Sequence, residues 1–418
     1  MKLEGRKTCR ICNSERLIDI ISLGEQHIAA YTPKGSDPKP VLEKFPLELI
    51  RCTEQDCGLV QLRHSTPPEI LYERYFYRSG INQTMTDNLK EIVEQAISKV
   101  NLENNDIVLD IGCNDGTLLR NYQNKELRAV GIDPAKNMFE FSKNSGAEII
   151  VDYFNSKLFI HKFHDEKAKI ITSISMFYDL ENPNEFVSDI SKILHKEGVW
   201  IIELKYLPTM IFQNAYDNIV HEHIEYYHFS VIENLLKKFN LKPVDVSLND
   251  SNGGSIRIFI KHIEQNIDDK SQNNLNELKK SEEKLNLNTE QPYKEFFSRC
   301  EKLKDETISF IKKEVSDGKI IHAYGASTKG HTILQYYELN DKLIDAIADR
   351  NPDKWSRKMI GTDLRIISEE ESRKLKPDYF FILPWHFLDE FKKREKDFLD
   401  SGGKFIVPLP ELQIIGSD

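Results

Sequence analysis

Hydrophobic positions along the chain fall into short, nearly continuous runs separated by polar stretches. Ile107-Val108-Leu109 is one such run; it ends in Asp110, passes through a glycine-rich turn and enters a helical pattern. An unalternating run predicts a strand buried on both faces, and strand, loop, helix is the first unit of a doubly wound sheet. Val130-Gly131-Ile132-Asp133 repeats the apolar run with an acidic end. Ile149 to Phe154 predicts a third strand end, Ile170 to Ser175 a fourth strand and Val199 to Glu203 a fifth. Residues 244–260 predict two strands around the turn Asn252-Gly253-Gly254-Ser255. Phe229 to Leu236 reads as a helix start, with Ser230 as N-cap and Glu233 three residues on.

Residues 261–318 change the pattern: scattered leucines at helical spacing among Lys, Glu, Asn and Gln predict one or two long helices, interrupted near Gln291-Pro292. Apolar runs then return. Ile320 to Tyr324 precedes the small-residue loop Gly325-Ala326-Ser327-Thr328-Lys329-Gly330, and further strands are predicted at 343–350, 378–385 and 404–408. That is a second Rossmann-like unit. The chain therefore reads as α/β, in four segments: 1–68, 69–260, 261–318 and 319–418.

Composition narrows the function. Of 418 residues 30% are charged, the net charge is −10, and no local basic patch offsets it, which argues against nucleic acid as partner. No apolar run approaches the ~18–20 residues of a membrane span. The stretch Met1 to Lys7 is polar and unlike a signal peptide, so a cytoplasmic location is the expectation.

Six cysteines in such a chain favour reduced or metal-bound thiols over disulfides. Cys9 and Cys12 form C-x2-C, and Cys52 and Cys57 form C-x4-C, in a segment that otherwise reads as core-poor. Two tight knuckles bring four thiolates to one ion, the closed tetrahedron of a structural Zn2+ site. Cys113 and Cys300 stand alone and read as structural.

The glycine loop has the spacing D-x-G-x-x-x-G, through Asp110, Gly112 and Gly116, with Asn114 inside it and no Walker lysine. With Asp133 at the second strand end, it resembles the class I S-adenosylmethionine (SAM) methyltransferases. The resemblance implies that Gly112 and Gly116 admit the amino-acid half of SAM and that Asp133 takes the ribose diol. It also implies that Asp152 lies near the adenine amine, with Tyr153 or Phe154 packed on the ring.

Residues 220–228 read V-H-E-H-I-E-Y-Y-H. His221 and His223 are two apart, so a strand would turn them to opposite faces, unlike the i, i+4 histidines of a metal helix. An imidazole beside a carboxylate suits a general base better, and a polar surface loop is the plain alternative. At this point the whole chain is similar to the nucleotide-sugar C-methyltransferases of antibiotic deoxysugar pathways, the tetronitrose and mycarose type. The likeness is carried by the four cysteines, H-E-H-x-x-Y-Y (His221 to Tyr227), N-G-G-S-I-R (252–257), Y-G-A-S-T-K-G (324–330), P-D-Y-F-F-I-L-P-W (377–385) and F-I-V-P-L-P-E (405–411). It implies methyl transfer to a carbon beside a keto group, with His223 as base, Glu222 beside it, His221 in the same motif and Tyr77 facing substrate. It also implies a nucleotide-diphosphate sugar in the cleft between the two α/β halves. There Tyr324, Ser327 and Lys329 would contact it, Lys329 at the diphosphate, and Trp385-His386 would line the cleft.

Two positions depart from that family. Val220 stands where it carries tyrosine, and Met176 to Leu180 lacks its histidine, leaving Tyr178 or Asp179 as substitutes. An oxygen or nitrogen acceptor, or a nucleotide-sugar-binding protein without catalysis, stays open on the sequence.

Overall fold

The computed structural model describes residues 3–28, 30–35, 37, 40–72, 75, 77–122 and 126–417. Met1 and Lys2, which open the polar N-terminal stretch, lie outside the described residues. The structure is built on three sheets. The central one has seven strands in spatial order Leu241–Asn249, Ser255–His262, Leu194–Lys205, Ala168–Ile174, Ile107–Ile111, Arg128–Ile132 and Glu148–Ile150. Five are parallel, and the two that follow the His-Glu-His stretch run antiparallel as a hairpin at one edge. Every residue of Ile107–Ile111 is buried, as an apolar run covered on both faces must be.

The third sheet contains Ile321–Tyr324, Ala346–Asp349, Tyr379–Ile382 and Lys404–Val407, all parallel. It also gains Ile366–Ser368 and an antiparallel edge strand, Gln413–Ile415, neither anticipated from the sequence. Both are three residues long and too short to carry a pattern. Helices Asp269–Glu283 and Gln291–Ser316 connect the two halves, with Pro292 in the first turn of the second.

The N-terminal segment is not core-poor. Strands Leu17–His27, Lys44–Cys52 and Val60–Leu62 form an antiparallel sheet. Its Ile21, Leu23, Leu47 and Leu49 join one hydrophobic core with Phe296 and Ile333 of the connector and C-terminal unit. A two-residue strand, Glu225–Tyr226, adds to the same sheet by pairing with Gln61 and Val60. The His-Glu-His stretch is thus anchored at its far end to the cysteine-bearing sheet.

Ser230 does not cap the helix Phe229–Lys237; His228 holds the cap position and offers no side-chain bond. Glu282, from the connector, supplies the acceptor instead. Its carboxylate receives the N–H of Phe229 at 2.5 Å, the N–H of Ser230 at 3.1 Å and the Ser230 hydroxyl at 2.8 Å. Glu233 turns away to pair with Lys279 at 2.7 Å. A carboxylate 53 residues beyond Phe229 satisfies free helix donors in place of a local cap, and no local pattern announces it.

Candidate active site

The four cysteines converge. Their sulfurs all lie within 4.8 Å of one another, with Cys9–Cys57 and Cys12–Cys52 each at 3.5 Å. Tetrahedral Zn–thiolate bonds of ~2.3 Å require S···S edges of roughly 3.8 Å, so the donor set fits a structural zinc. The four ligands close the tetrahedron and leave no position for substrate. Cys113 and Cys300 are buried and unpaired, as expected.

Arg10, between the first two cysteines, is buried and donates to Gln61 Oε1 at 3.0 Å, the Leu62 carbonyl at 2.8 Å and Ser65 Oγ at 2.7 Å. These bonds lock the knuckle to the strand that pairs with Glu225–Tyr226.

The glycine loop leaves its strand through Gly112 and Gly116, both at φ +75°. A Cβ on Gly112 would sit 3.2 Å from Met176, and one on Gly116 would sit 2.7 Å from Ser145. Glycine is therefore needed for both backbone and space. Asp133 is held ready: Oδ2 accepts the Asn114 N–H and Oδ1 the Ala135 N–H, each at 2.8 Å. Asp110 lies behind the loop, takes the Thr172 hydroxyl at 2.6 Å, and is pushed up to about 7 by burial. Asn114 works differently from its neighbours. Its Oδ1 accepts the Ser79 N–H and its Nδ2 donates to the Tyr77 carbonyl, both at 3.0 Å. It ties the Tyr77 segment across the loop. Asp152 and Tyr153 line the same cavity. This cradle fits SAM: a bare backbone approach, a positioned carboxylate and an aromatic side wall.

That cavity, about 470 Å³, continues from the loop to Tyr77, Tyr178, Glu222 and His223 and ends on Lys205, Lys329 and His386. His223 Nδ1 stands 3.0 Å from the Asn218 carbonyl. A carbonyl only accepts, so Nδ1 carries the proton and Nε2 is left as a free base. Burial, then the Lys329 charge, pushes the imidazole down to about 3, so the free enzyme holds it neutral. Tyr178 packs edge-on against this ring, centroids 4.4 Å apart.

Glu222 and Asp179 share the far wall with Tyr72, whose hydroxyl reaches the Glu222 carbonyl at 3.3 Å. Burial pushes Glu222 up to about 7. Burial and the Glu222 charge push Asp179 well up, and Asp179 Oδ1 has no partner among the described residues.

His221 does not join them. Its Nε2 faces the Phe45 carbonyl at 3.2 Å, in the N-terminal sheet; the segment is a turn, closed by the His223 N–H on the Val220 carbonyl at 3.1 Å, and not the strand that would set the two histidines on opposite faces. Val220 is buried and contributes only apolar wall.

A wider cleft of about 950 Å³ opens from this cavity into the C-terminal unit. The two share Tyr75, Tyr77, Glu222, Ser327, Thr328 and Pro384 among their walls. Asp349, at the end of Ala346–Asp349, accepts the Ala326 N–H at 2.7 Å and the Asn351 N–H at 2.8 Å, the same device as Asp133. The cleft walls carry arginines and lysines, among them Arg350, Lys354 and Arg394, interleaved with carboxylates such as Glu369 and Glu390. Tyr324 lines the cleft with its hydroxyl already engaged by Glu395 at 2.6 Å and Arg394 at 3.1 Å. Lys329 lies at the His223 end and not in this cleft.

Family comparison decides what reaction this arrangement serves. Three domain families tile the chain: a zinc binding domain over residues 9–72, a methyltransferase domain over 77–246 and the C-methyltransferase C-terminal domain over 250–410. The chain is 28% identical over 412 residues to the C-methyltransferase NovU of Streptomyces niveus, covering 98% of this chain and 97% of that protein. The chain belongs to this C-methyltransferase family. It is a SAM-dependent methyltransferase with a four-cysteine zinc site.

Solved structures similar to part of this C-methyltransferase include a SAM-dependent methyltransferase from Clostridium acetobutylicum. That one is 16% identical, covers 42% of this chain and 92% of its own, and has a TM-score of 0.33. Another is magnesium protoporphyrin IX methyltransferase from Synechocystis PCC 6803, solved with bound SAM. It is 11% identical, covers 42% and 78%, and has a TM-score of 0.33. No helix among the described residues of the C-methyltransferase is long and apolar enough to cross a membrane.

Sequence patterns missed several cavity groups. Asn218 acts through its backbone carbonyl, which no side-chain motif reveals. Tyr72 and Tyr75 lie in an aromatic stretch, of which Tyr77 alone was singled out. Lys205 had one available signal, a lysine closing a long apolar strand.

Proposed function

We propose that this C-methyltransferase acts on a nucleotide-linked keto sugar, at a carbon beside the carbonyl. The observation that carries the reading is the junction of two cavities. The smaller joins the SAM loop to a neutral imidazole, and the wider continues into a cleft of about 950 Å³ whose walls include Asp349, Arg350, Lys354 and Arg394. SAM, when bound, supplies an electrophilic methyl. The chain's own task is to make a carbon nucleophilic. His223 Nε2 takes the α-proton, the Asn218 carbonyl holds its tautomer, and Tyr178 fixes the ring plane. Glu222 and Asp179 stand opposite as carboxyl groups able to share protons with the sugar hydroxyls. Asp133 receives the SAM ribose, with Asp152 and Tyr153 toward the adenine. Asp349 and Arg350 are suited to the ribose and diphosphate of the sugar nucleotide, with Ser327 and Thr328 at the junction. NovU is a C-methyltransferase, which agrees with a carbon acceptor here.

His223→Ala is expected to lower methyl transfer by about 10²–10⁴-fold, the usual worth of a positioned base, with SAM binding by calorimetry unchanged. Undiminished turnover in that variant would remove His223 from the role.

A further inference from the structure

Two lysines unused in that scheme meet at the floor of the acceptor cavity. Lys205 ends the strand Leu194–Lys205 of the central sheet, and Lys329 lies in the first turn of helix Thr328–Tyr336 of the C-terminal unit. One backbone turn receives both. Lys205 Nζ donates to the Gly253 carbonyl and reaches Gln213 Oε1 at 3.5 Å. Lys329 Nζ reaches the preceding carbonyl, Asn252, at 3.5 Å. The turn runs through left-handed backbone at Asn252 (φ 52°) and Gly253 (φ +83°). A Cβ on Gly253 would lie 3.3 Å from His386 Cβ and 3.6 Å from Lys205 Nζ, so glycine lets the turn pass between them. This gives the Asn-Gly-Gly-Ser stretch a task beyond joining two strands.

The charge balance of the floor is uneven. Lys205 and Lys329 both act on one carboxylate, Asp217, and His386 beside the two lysines is held neutral by burial. Asp217 is already engaged: Oδ2 accepts the Trp385 indole N–H at 3.0 Å and Oδ1 the Asn218 amide at 3.3 Å. Two amines sharing one carboxylate in an enclosed cavity are costly unless negative charge arrives or develops there. Val220 and Met176 are apolar wall of the same cavity.

We propose that Lys205, with Lys329 beside it, forms the oxyanion site, donating to the acceptor's carbonyl oxygen while His223 removes the neighbouring proton. The proposal rests on the carbon-beside-carbonyl reading above. The step balances without an oxidant or reductant. The α C–H bond breaks and its proton goes to His223 Nε2. The freed pair forms the C=C bond, and the carbonyl π pair moves to oxygen, where the ammonium N–H of Lys205 holds it. Preorganised donors aimed at developing charge are among the strongest catalytic devices available to a side chain. Burial and the Lys329 charge also push Lys205 down to about 7. Its donor proton is thus present below that pH and lost above it. The Asp217 charge opposes this loss and the Lys329 charge favours it, while His386, held neutral by burial, adds no charge.

The test uses the zinc-loaded full chain in D2O with S-adenosylhomocysteine in place of SAM and dTDP-4-keto-6-deoxyglucose as probe. NMR follows deuterium entering the carbon next to the carbonyl. Wild type is expected to exchange, with a rate that declines above about pH 7. Lys205→Met should exchange about 10²–10³-fold more slowly at unchanged probe affinity. Lys205→Arg, which keeps its charge, should recover part of the rate and carry the decline to higher pH. A Lys205→Met protein that exchanges at the wild-type rate overturns the proposal and leaves the carbon reading intact. Wild type that binds the probe without exchanging it overturns both. S-adenosylhomocysteine binding and zinc content report folding. If Lys205→Met misfolds, the comparison of Lys205→Arg with wild type decides, and coincident pH profiles reject the proposal.

Discussion

Glu222 shows how one carboxyl couples the site to the stability of the chain. Its folded-state value of about 7 lies above the ordinary glutamate value of 4.5. Between those two values the folded protein keeps a proton that the unfolded chain has released. Stability contributed by this group is therefore full below pH 4.5 and falls as pH rises toward 7. Glu222→Gln removes that dependence. Urea denaturation at pH 5 and pH 8 should show a smaller loss of stability in the variant, by up to about 3 kcal/mol from this group alone. Asp110 and Glu225, held at about 7 and about 8, preserve part of the slope. An identical slope in both proteins would mean that Glu222 titrates normally. The general residue types here were legible: His223 beside Glu222 could be read as a base next to a carboxylate. The family resemblance, and no local pattern, singled out His223 over His221; what no local pattern shows is why the two imidazoles part. That follows from the pairing of Glu225–Tyr226 with the N-terminal sheet, a contact with residues more than 160 positions upstream.

At the scale of elements, the four-cysteine site and the His223 stretch are mechanically joined. Zinc holds the knuckle carrying Arg10, and Arg10 holds Gln61 and Leu62. Gln61 pairs with Glu225, and the Ile224 carbonyl accepts the Leu62 N–H at 2.8 Å, immediately after His223. Chelating zinc, or replacing Cys52 by serine, should lower transfer at least tenfold in order of magnitude while SAM affinity is kept, because the glycine loop belongs to another sheet. Full activity of zinc-free protein, checked by metal analysis, would break this linkage. Elements built on long apolar runs, such as Ile107–Ile111 and Ala346–Asp349, were visible because burial on both faces demands such runs. The N-terminal sheet was not visible. Its strand Leu17–His27 alternates only loosely, with two register irregularities against Lys44–Cys52, and its apolar face is covered by a helix far along the chain.

For the whole molecule, the arrangement resolves the apparent redundancy of two Rossmann-like halves. Both place a carboxylate, Asp133 or Asp349, beneath a glycine loop at a strand end, and both open onto the wall that Glu222 shares between the two cavities. One half is committed to SAM. We assign the other to the nucleotide of the acceptor, with the sugar ring between them. The cleft cations were not read from the sequence: Arg350, Lys354 and Arg394 are dispersed over 45 residues, and Lys329, the one cation singled out, lies instead beside His223. The central claim is the identity of the atom that receives the methyl. Incubating the enzyme with SAM labelled with carbon-13 in the methyl and a dTDP-linked 4-keto sugar, then recording the carbon spectrum of the product, tests it directly. The account predicts an aliphatic C–CH3 resonance coupled to a ring carbon next to the carbonyl; a methoxy or N-methyl resonance would contradict it.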